Sequence, residues 1–497
     1  MPRCTLAVSR LVRLSLAFVA LIVLPLVAYA HGVLKSSEPA KGEHLSAAPR
    51  ELRLTFNEPV EVAVAGLQLV APDSSLVMLS PLRHGGDSAQ VIVADVVSPL
   101  VAGTYTVRWR VTGRDGHPVR GSFSFTIAPG ASGLAASGAA SPTATTADAH
   151  SAGHGPGGTT AAPADSAGPH HSPVSLPQGE GFGAESPLFA VVRALTYLGI
   201  LGVLGAVIFR LFVLSRVARV ARVGGNAGGA EQLVASASSP VAAFAMTMAA
   251  GLLVAAALRL YAQSYAMHGP GDALNAALVS SMVIKTVWGW GWLLQVAATL
   301  VVLGAVWRAR RTSPTGWTVA ALAALVLAVT PALSGHAVST PGLAWLAVPN
   351  DTLHVIGAGG WLGTLLTLVV VGLPVAMRLD AGLRGRAVAD LVNAFSPLAL
   401  TFAGMVVVTG AVSAWLHLGS LSALWGSEYG RVLTLKLIAL VPVLALGAYN
   451  WRRVRPTLGA DTASRRITRS AAAELAVGAI VLAVTAVLVA TPVEGGR

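Results

Sequence analysis

Eight apolar runs of membrane-spanning length recur between residues 187 and 490, so most of this chain must fold with lipid rather than water as its solvent. They fall at 187–209, 241–260, 287–307, 317–333, 352–373, 398–418, 432–449 and 471–490. A helix needs roughly 20 apolar residues to cross about 30 Å of hydrocarbon. Within lipid every backbone polar group must be satisfied internally, which leaves helices as the form these runs can take. The spacing predicts an all-α polytopic bundle of about eight helices, the fourth being the shortest. Composition agrees: 11% of the side chains are charged, where a soluble chain carries about 25%. The net charge of +12 sits in short loops between apolar runs and not on one soluble face, which excludes a nucleic-acid partner.

The start of the chain has a different grammar. Arg3, Arg10 and Arg13 precede an apolar run over Leu14–Val27, and Ala28-Tyr29-Ala30 follows it. A basic region, an apolar region and a small-residue site make a secretory signal over residues 1–30, with an uncleaved first membrane helix as the competing reading. Cleavage after Ala30 would leave His31 as the new N-terminus. A free α-amine beside an imidazole chelates Cu(II), which prefers nitrogen ligands in tetragonal geometry. Cys4, the one cysteine, lies inside the signal. Metal chemistry in the mature chain therefore falls to His, Met and carboxylates.

Residues 31–127 alternate with period two. Leu52, Leu54 and Phe56 share one face, as do Tyr105, Val107, Trp109 and Val111, and again Phe123, Phe125 and Ile127. Short alternating runs broken by Pro, Gly and Asp predict half-buried antiparallel strands. Further candidates are Val60–Val70, Leu76–Leu79 and Gln90–Val97. Six or seven strands in about 100 residues suggest an Ig-like, two-sheet Greek-key sandwich. Between the last two strands lies Arg114-Asp115-Gly116-His117-Pro118. In extended backbone Asp115 and His117 point the same way and could converge on one ion; an ordinary turn with solvated polar residues is the other reading.

His31, Pro39-Ala40-Lys41-Gly42, Leu52-Arg53-Leu54-Thr55-Phe56-Asn57-Glu58-Pro59-Val60, Gly103-Thr104-Tyr105 and Asp115-Gly116-His117-Pro118 through Gly121-Ser122-Phe123 carry a resemblance across this whole segment. It resembles the bacterial copper-binding protein CopC. The resemblance implies a cupredoxin-like sandwich with Cu(II) held by the His31 amine and imidazole, Asp115 and His117, and a periplasmic copper chaperone or donor as partner. Members that bind Cu(I) carry a Met-rich loop, whereas this segment has only Met78.

Residues 128–186 are Ala, Gly, Ser, Thr and Pro with almost no large apolar side chain, so a disordered linker is expected. Its His150, His154, His170 and His171 are either incidental or a weak metal-handling tract. An exported first domain requires the first membrane helix to run inward. The loops then placed inside hold sixteen Arg, from Arg210 to Arg469. The outer loops and tail hold Arg259, Lys285, Arg431 and Arg497, as the positive-inside rule demands.

On that topology every histidine is outside or in the outer part of the membrane. His268 falls in an outer loop, His336 just past the fourth helix, His354 about one turn inside the fifth helix and His417 near the outer end of the sixth. Asp351, three residues before His354, reads as a site partner or as a helix N-cap. Ionisable groups in membrane helices mark pathways, so these five residues form a candidate copper path; a structural role for each histidine is the alternative. Met246, Met248 and Met405 are either core filler or a relay for Cu(I), the soft ion that thioethers favour.

Residues 187–492 resemble the copper-resistance membrane protein CopD through Ser334-Gly335-His336-Ala337, Asp351-Thr352-Leu353-His354 with Gly360-Trp361-Leu362-Gly363, Ser427-Glu428-Tyr429-Gly430 with Lys436, Asn450 and Glu474. The two resemblances together imply a fused copper-acquisition protein that passes copper inward and is not an enzyme. Competing readings are a haem-bearing or copper-reducing membrane redox protein, and a periplasmic copper buffer anchored by the bundle. No phosphate-binding loop signature is present, which argues against transport driven by a nucleotide.

Overall fold

A computed structural model describes residues 34–57, 59–86, 88–113, 118–130, 186–223, 227–311, 315–340, 343–418, 420–454, 461–489 and 491. The signal segment, His31, Asp115, His117 and the linker histidines lie outside the described residues.

Among the described residues nine strands form two sheets. β1 (Leu34–Glu38), β3 (Glu51–Phe56), β7 (Ser88–Asp95) and β6 (Arg83–Gly85) make one, in that spatial order. The other runs β2 (His44–Leu45), β9 (Pro118–Ile127), β8 (Gly103–Thr112), β4 (Gly66–Val70) and β5 (Leu76–Val77). All pairings are antiparallel except β2 with β9. The alternation seen in the sequence supplies the core. Leu52, Leu54 and Phe56 from β3 meet Tyr105, Val107, Trp109 and Val111 from β8 and Phe123, Phe125 and Ile127 from β9, all buried. Phe56 meets Trp109 edge-on at 5.2 Å, and Tyr105 stacks on Phe125 at 5.6 Å. The Tyr105 hydroxyl also donates to the Val101 carbonyl and accepts from the Val101 amide, which spares a buried polar group.

One candidate strand is interrupted. Within Val60–Val70 only Val60 bridges to Gly113 before a 3-10 turn takes Val62–Val64, and β4 begins at Gly66. The cause is a second packing partner: Val64 leaves the sandwich core and packs against Met267, Met282 and Trp288 of the helical part.

Among the described residues eight helices are long and apolar enough to cross a membrane: α1 (Pro187–Arg222), α2 (Gly229–His268), α3 (Val287–Arg311), α4 (Thr315–Leu333), α5 (Ala344–Met377), α6 (Ala381–Leu418), α7 (Glu428–Arg453) and α8 (Ile467–Leu488). The chain is a multi-pass membrane protein. α1 is the most enclosed, with 72% of its apolar window buried, and α7 the least, at 17%; α1 is therefore the axis on which the others pack. Close approach is built from glycine. A Cβ on Gly205 of α1 would lie 2.0 Å from the Gly363 carbonyl carbon of α5, and one on Gly363 would lie 2.0 Å from the Leu201 carbonyl oxygen. Small residues let membrane helices touch backbone to backbone. α5 widens into π turns at Gly359–Gly363 and Leu368–Gly372.

Helix direction alternates, so one end of the bundle gathers Arg210, Arg308, Arg378 and Arg453 while the other carries the sandwich. Arg120 of β9 donates from Nη2 to the Ala266 carbonyl near the end of α2, at 2.7 Å.

Candidate functional site

Three helices bring polar side chains together toward the sandwich end. α5 supplies Asn350, Asp351 and His354, α6 supplies Thr409, Ser413 and His417, and α7 supplies Tyr429 and Lys436. Helix periodicity makes this possible, because residues three and four apart share a face. Asn350 and His354 thus both look at α6, where Thr409 and Ser413 are likewise four apart. Asn350 donates from Nδ2 to the Thr409 carbonyl at 3.1 Å and to the Ser413 hydroxyl at 2.8 Å. His354 Nδ1 contacts the Thr409 hydroxyl at 2.9 Å. His417 Nδ1 lies 2.7 Å from the Ser413 carbonyl, and its ring stands 5.7 Å from that of Tyr429.

Charge is balanced locally. Asp351 lies within electrostatic range of Lys436, Tyr429 and Tyr197, and Lys436 within range of His354. A carboxylate, an ammonium and two imidazoles thus share one region of the bundle. Such a set can pass a cation between neutral ring nitrogens while the carboxylate offsets its charge.

Several expectations about position need correction. His354 is not one turn inside its helix: α5 begins at Ala344, so His354 is about 15 Å along it at 1.5 Å per residue. Asp351 is mid-helix and not an N-cap, because α5 continues through Pro349 and Asn350 and holds its polar stretch by bonds to α6. Lys436, a motif residue without an assigned place in the sequence, sits about two turns into α7 within electrostatic range of Asp351 of α5. His268 is the last residue of α2 and not a loop residue; its Nδ1 is 3.1 Å from the Ser264 hydroxyl. Arg259, read as an outer-loop cation, is buried inside α2.

The structure therefore brings Asp351, His354 and His417 into one region and leaves His268 in another, within electrostatic range of Arg110, Arg120 and Asp272 at the seam with the sandwich. His336 opens a four-residue helix after α4. The methionines do not group. Met246 meets Arg310, Met248 packs against Gly202, and Met405 accepts the Thr409 hydroxyl proton through its carbonyl. Among the described residues no three His, Cys, Asp or Glu side chains are clustered to hold a metal. Sequence reasoning missed Thr409, Ser413 and Tyr197. A helical spacing of four between hydroxyl residues opposite Asn350 and His354 was the signal available for the first two.

Comparison with known proteins covers both halves. Residues 34–128 match the family described as CopC domain, residues 184–347 the Copper resistance protein D-like N-terminal domain, and residues 389–488 Copper resistance protein D. The chain is 24% identical over 478 residues to the Copper transport protein CutJ of Bacillus subtilis, spanning 95% of this chain and 76% of that protein. It is 36% identical over 115 residues to Copper resistance protein C of Pseudomonas syringae pv. tomato, spanning 22% of this chain and 90% of that one. The crystal structure of CopC from Methylosinus trichosporium OB3b is 28% identical, spans 20% of this chain and 98% of that chain, and superposes with a TM-score of 0.19.

Proposed function

The chain belongs to the copper-resistance family that joins a CopC domain to a CopD membrane domain, and from that premise we propose that it captures Cu(II) outside the membrane and passes copper inward through the helical bundle. His31, through amine and imidazole, holds the ion with Asp115 and His117. The histidines at the sandwich end of the bundle, His268, His336, His354 and His417, accept it together with Asp351. The Arg-rich end faces the cytoplasm, since basic loops are retained there.

The observation that carries this reading is the bond from Arg120 to the Ala266 carbonyl. β8 ends at Thr112 and β9 starts at Pro118, so Asp115 and His117 fall in the sequence between two strands, the second of which is bonded to α2 through Arg120. Arg120 is three residues from His117, and Ala266 is two from His268. Capture and acceptance are thereby kept close, and copper need not be released to bulk solvent between them. The cluster of Asn350, His354, Thr409 and Ser413 between α5 and α6 supplies polar groups beyond that point.

The test is cellular copper content with and without the protein, repeated for His31→Ala, His117→Ala and His354→Ala. Higher copper in cells that make the protein, abolished by each substitution, is the expected result. Lower copper in those cells would overturn inward transfer. Uptake unaffected by His354→Ala with Cu(II) binding retained would leave a copper buffer on a membrane anchor.

A further inference from the structure

A cavity between α1, α2, α3 and α4 at the sandwich end has a chemistry opposite to that of a copper path. Its polar lining is Arg193, Thr196, Tyr197, Arg259, Gln263 and Ser334, with Trp288 as an apolar wall. Arg193 and Arg259 are only 7% and 9% exposed. Arg259 donates to the Ser334 hydroxyl at 2.8 Å and to Gln295 Oε1 at 3.3 Å, and its guanidinium faces the Trp288 ring at 5.4 Å. Arg193 donates to the Ala486 carbonyl at 2.9 Å and lies over Phe189 at 4.7 Å.

The acceptors named for Arg259 are both neutral, and among the described residues no carboxylate lies within ion-pair distance of it. Beside it the buried Gln295 Nε2, a further donor, has no partner. A guanidinium removed from water needs an anion to offset its lost hydration. Two of them lining one cavity repel each other and repel any copper ion. The neutral bonds orient Arg259 but do not balance its charge, while its planar fork matches the two oxygens of a carboxylate or phosphate. Tyr197, in electrostatic range of both arginines, adds a hydroxyl donor.

We propose that this cavity is an oxyanion-binding site, taking a carboxylate or phosphate group between Arg193 and Arg259. The site stands apart from the copper reading and needs no metal for its test. A soluble anion and the headgroup of an acidic lipid both present this chemistry.

The experiment uses the purified full chain in zwitterionic-lipid nanodiscs, titrated calorimetrically with citrate and with inorganic phosphate. The same chain is assayed by native mass spectrometry for retained phosphatidylglycerol. Arg193→Gln and Arg259→Gln are compared with Arg431→Gln, an exposed arginine at the start of α7. Arg259→Lys keeps the charge without the fork, and Ser334→Ala serves if the buried substitutions do not fold. Saturable binding of one probe, weakened at least tenfold in Arg193→Gln and Arg259→Gln, weakened less in Arg259→Lys, and unchanged in Arg431→Gln, is expected. Binding of citrate or phosphate without retained lipid identifies a soluble anion; retained phosphatidylglycerol that either anion fails to displace identifies a headgroup. Absence of saturable binding for all three probes, or binding that the folded variants at Arg193, Arg259 or Ser334 leave unchanged, would overturn the proposal.

Discussion

The Nδ1 atom of His354 lies 2.9 Å from the Thr409 hydroxyl oxygen, and this contact fixes the tautomer of the ring. The Thr409 hydroxyl donates to the Met405 carbonyl at 2.7 Å, which uses its single proton. Its oxygen can then only accept, so Nδ1 carries the hydrogen and Nε2 keeps the lone pair that a metal needs. Thr409→Val removes the acceptor at constant shape and frees the ring to change tautomer or turn. Copper uptake should fall about 10- to 100-fold, the range seen when a partner that orients a metal-binding histidine is lost. Thr409→Ser should restore most of it. Initial rates in proteoliposomes, normalised to inserted protein, give the comparison; equal rates in wild type and Thr409→Val would remove His354 from the path.

If Cu(II) is held by the proposed amine, imidazoles and carboxylate, its binding competes with protons, because each ligand must be deprotonated to bind. With an α-amine near pKa 8 and an ordinary imidazole near 6.5, Cu(II) affinity should be full only above about pH 8 and fall as pH drops through both values. Electron paramagnetic resonance of the Cu(II) form between about pH 5 and 8 reads this directly. Nitrogen coupling should fade on the acid side in wild type and be weaker at every pH in His31→Ala, which keeps only the α-amine and His117 as nitrogen donors. An acid-stable signal independent of His31 would place the ion elsewhere.

Arg120 can be separated from capture. Its guanidinium bond to Ala266 holds the sandwich to α2, and a hydrogen bond from a charged donor contributes about 1.5–3 kcal/mol. Arg120→Ala should therefore lower uptake by about tenfold while the Cu(II) spectrum stays unchanged. Burial, with the cross-strand Arg120 adding to it, lowers the Arg110 pKa, and Asp272 opposes that shift; burial lowers Arg120 likewise. Guanidinium groups start so far above neutrality that both remain charged, so the docking contribution should not titrate between about pH 5 and 9. A pH step in the ratio of wild-type to Arg120→Ala uptake would contradict this.

The α1–α5 crossing tests the glycine seam. A methyl group on Gly205 would fall 2.0 Å from the backbone of Gly363, where no rotamer change can relieve it. Gly205→Ala must push the helices apart and should cost roughly 1–3 kcal/mol or more, as overpacking does. Gly251 in α2 has open space at its Cβ position, so Gly251→Ala should be neutral or slightly stabilising. Thermal unfolding in detergent, followed by aggregation, ranks the two.

These contacts divide into those that local pattern reveals and those it conceals. Leu52, Leu54 and Phe56 were legible as core because alternation is a property of one strand, and all three are buried. The eight spans were legible because hydropathy sums over about 20 residues. Val62–Val64 misled because Val64 serves a neighbouring domain's packing, a demand that leaves no local trace. The start of α5 misled for a related reason. Pro349, Asn350 and Asp351 look like a helix boundary, yet Ser413 and the Thr409 carbonyl satisfy Asn350 from another helix. Thr409 itself went unread, since one threonine in an apolar run reads as filler until its spacing of four from Ser413 is set against Asn350 and His354.

Glu474 of α8 offers a last, independent check on how the bundle tolerates a buried carboxylate. It is 5% exposed and accepts from Trp361 Nε1 of α5 at 3.3 Å and from Asn450 Nδ2 of α7 at 3.2 Å, one bond to each oxygen. Three helices are thus tied at one point. Glu474→Gln keeps the shape and one acceptor but turns an amide donor toward one of the two donors, which should cost about 1–3 kcal/mol. Glu474→Ala orphans both donors and adds a cavity, so its loss should be larger. Trp361→Phe removes one donor alone. Because Trp361 and Glu474 share a bond, the double variant Trp361→Phe/Glu474→Gln should be less destabilised than the sum of the single effects, by about 0.5–3 kcal/mol. Strict additivity in thermal or denaturant unfolding would mean that the indole and the carboxylate do not act as a pair, and that α5 and α8 are held by apolar packing of Trp361 against Val443 and Val481 alone.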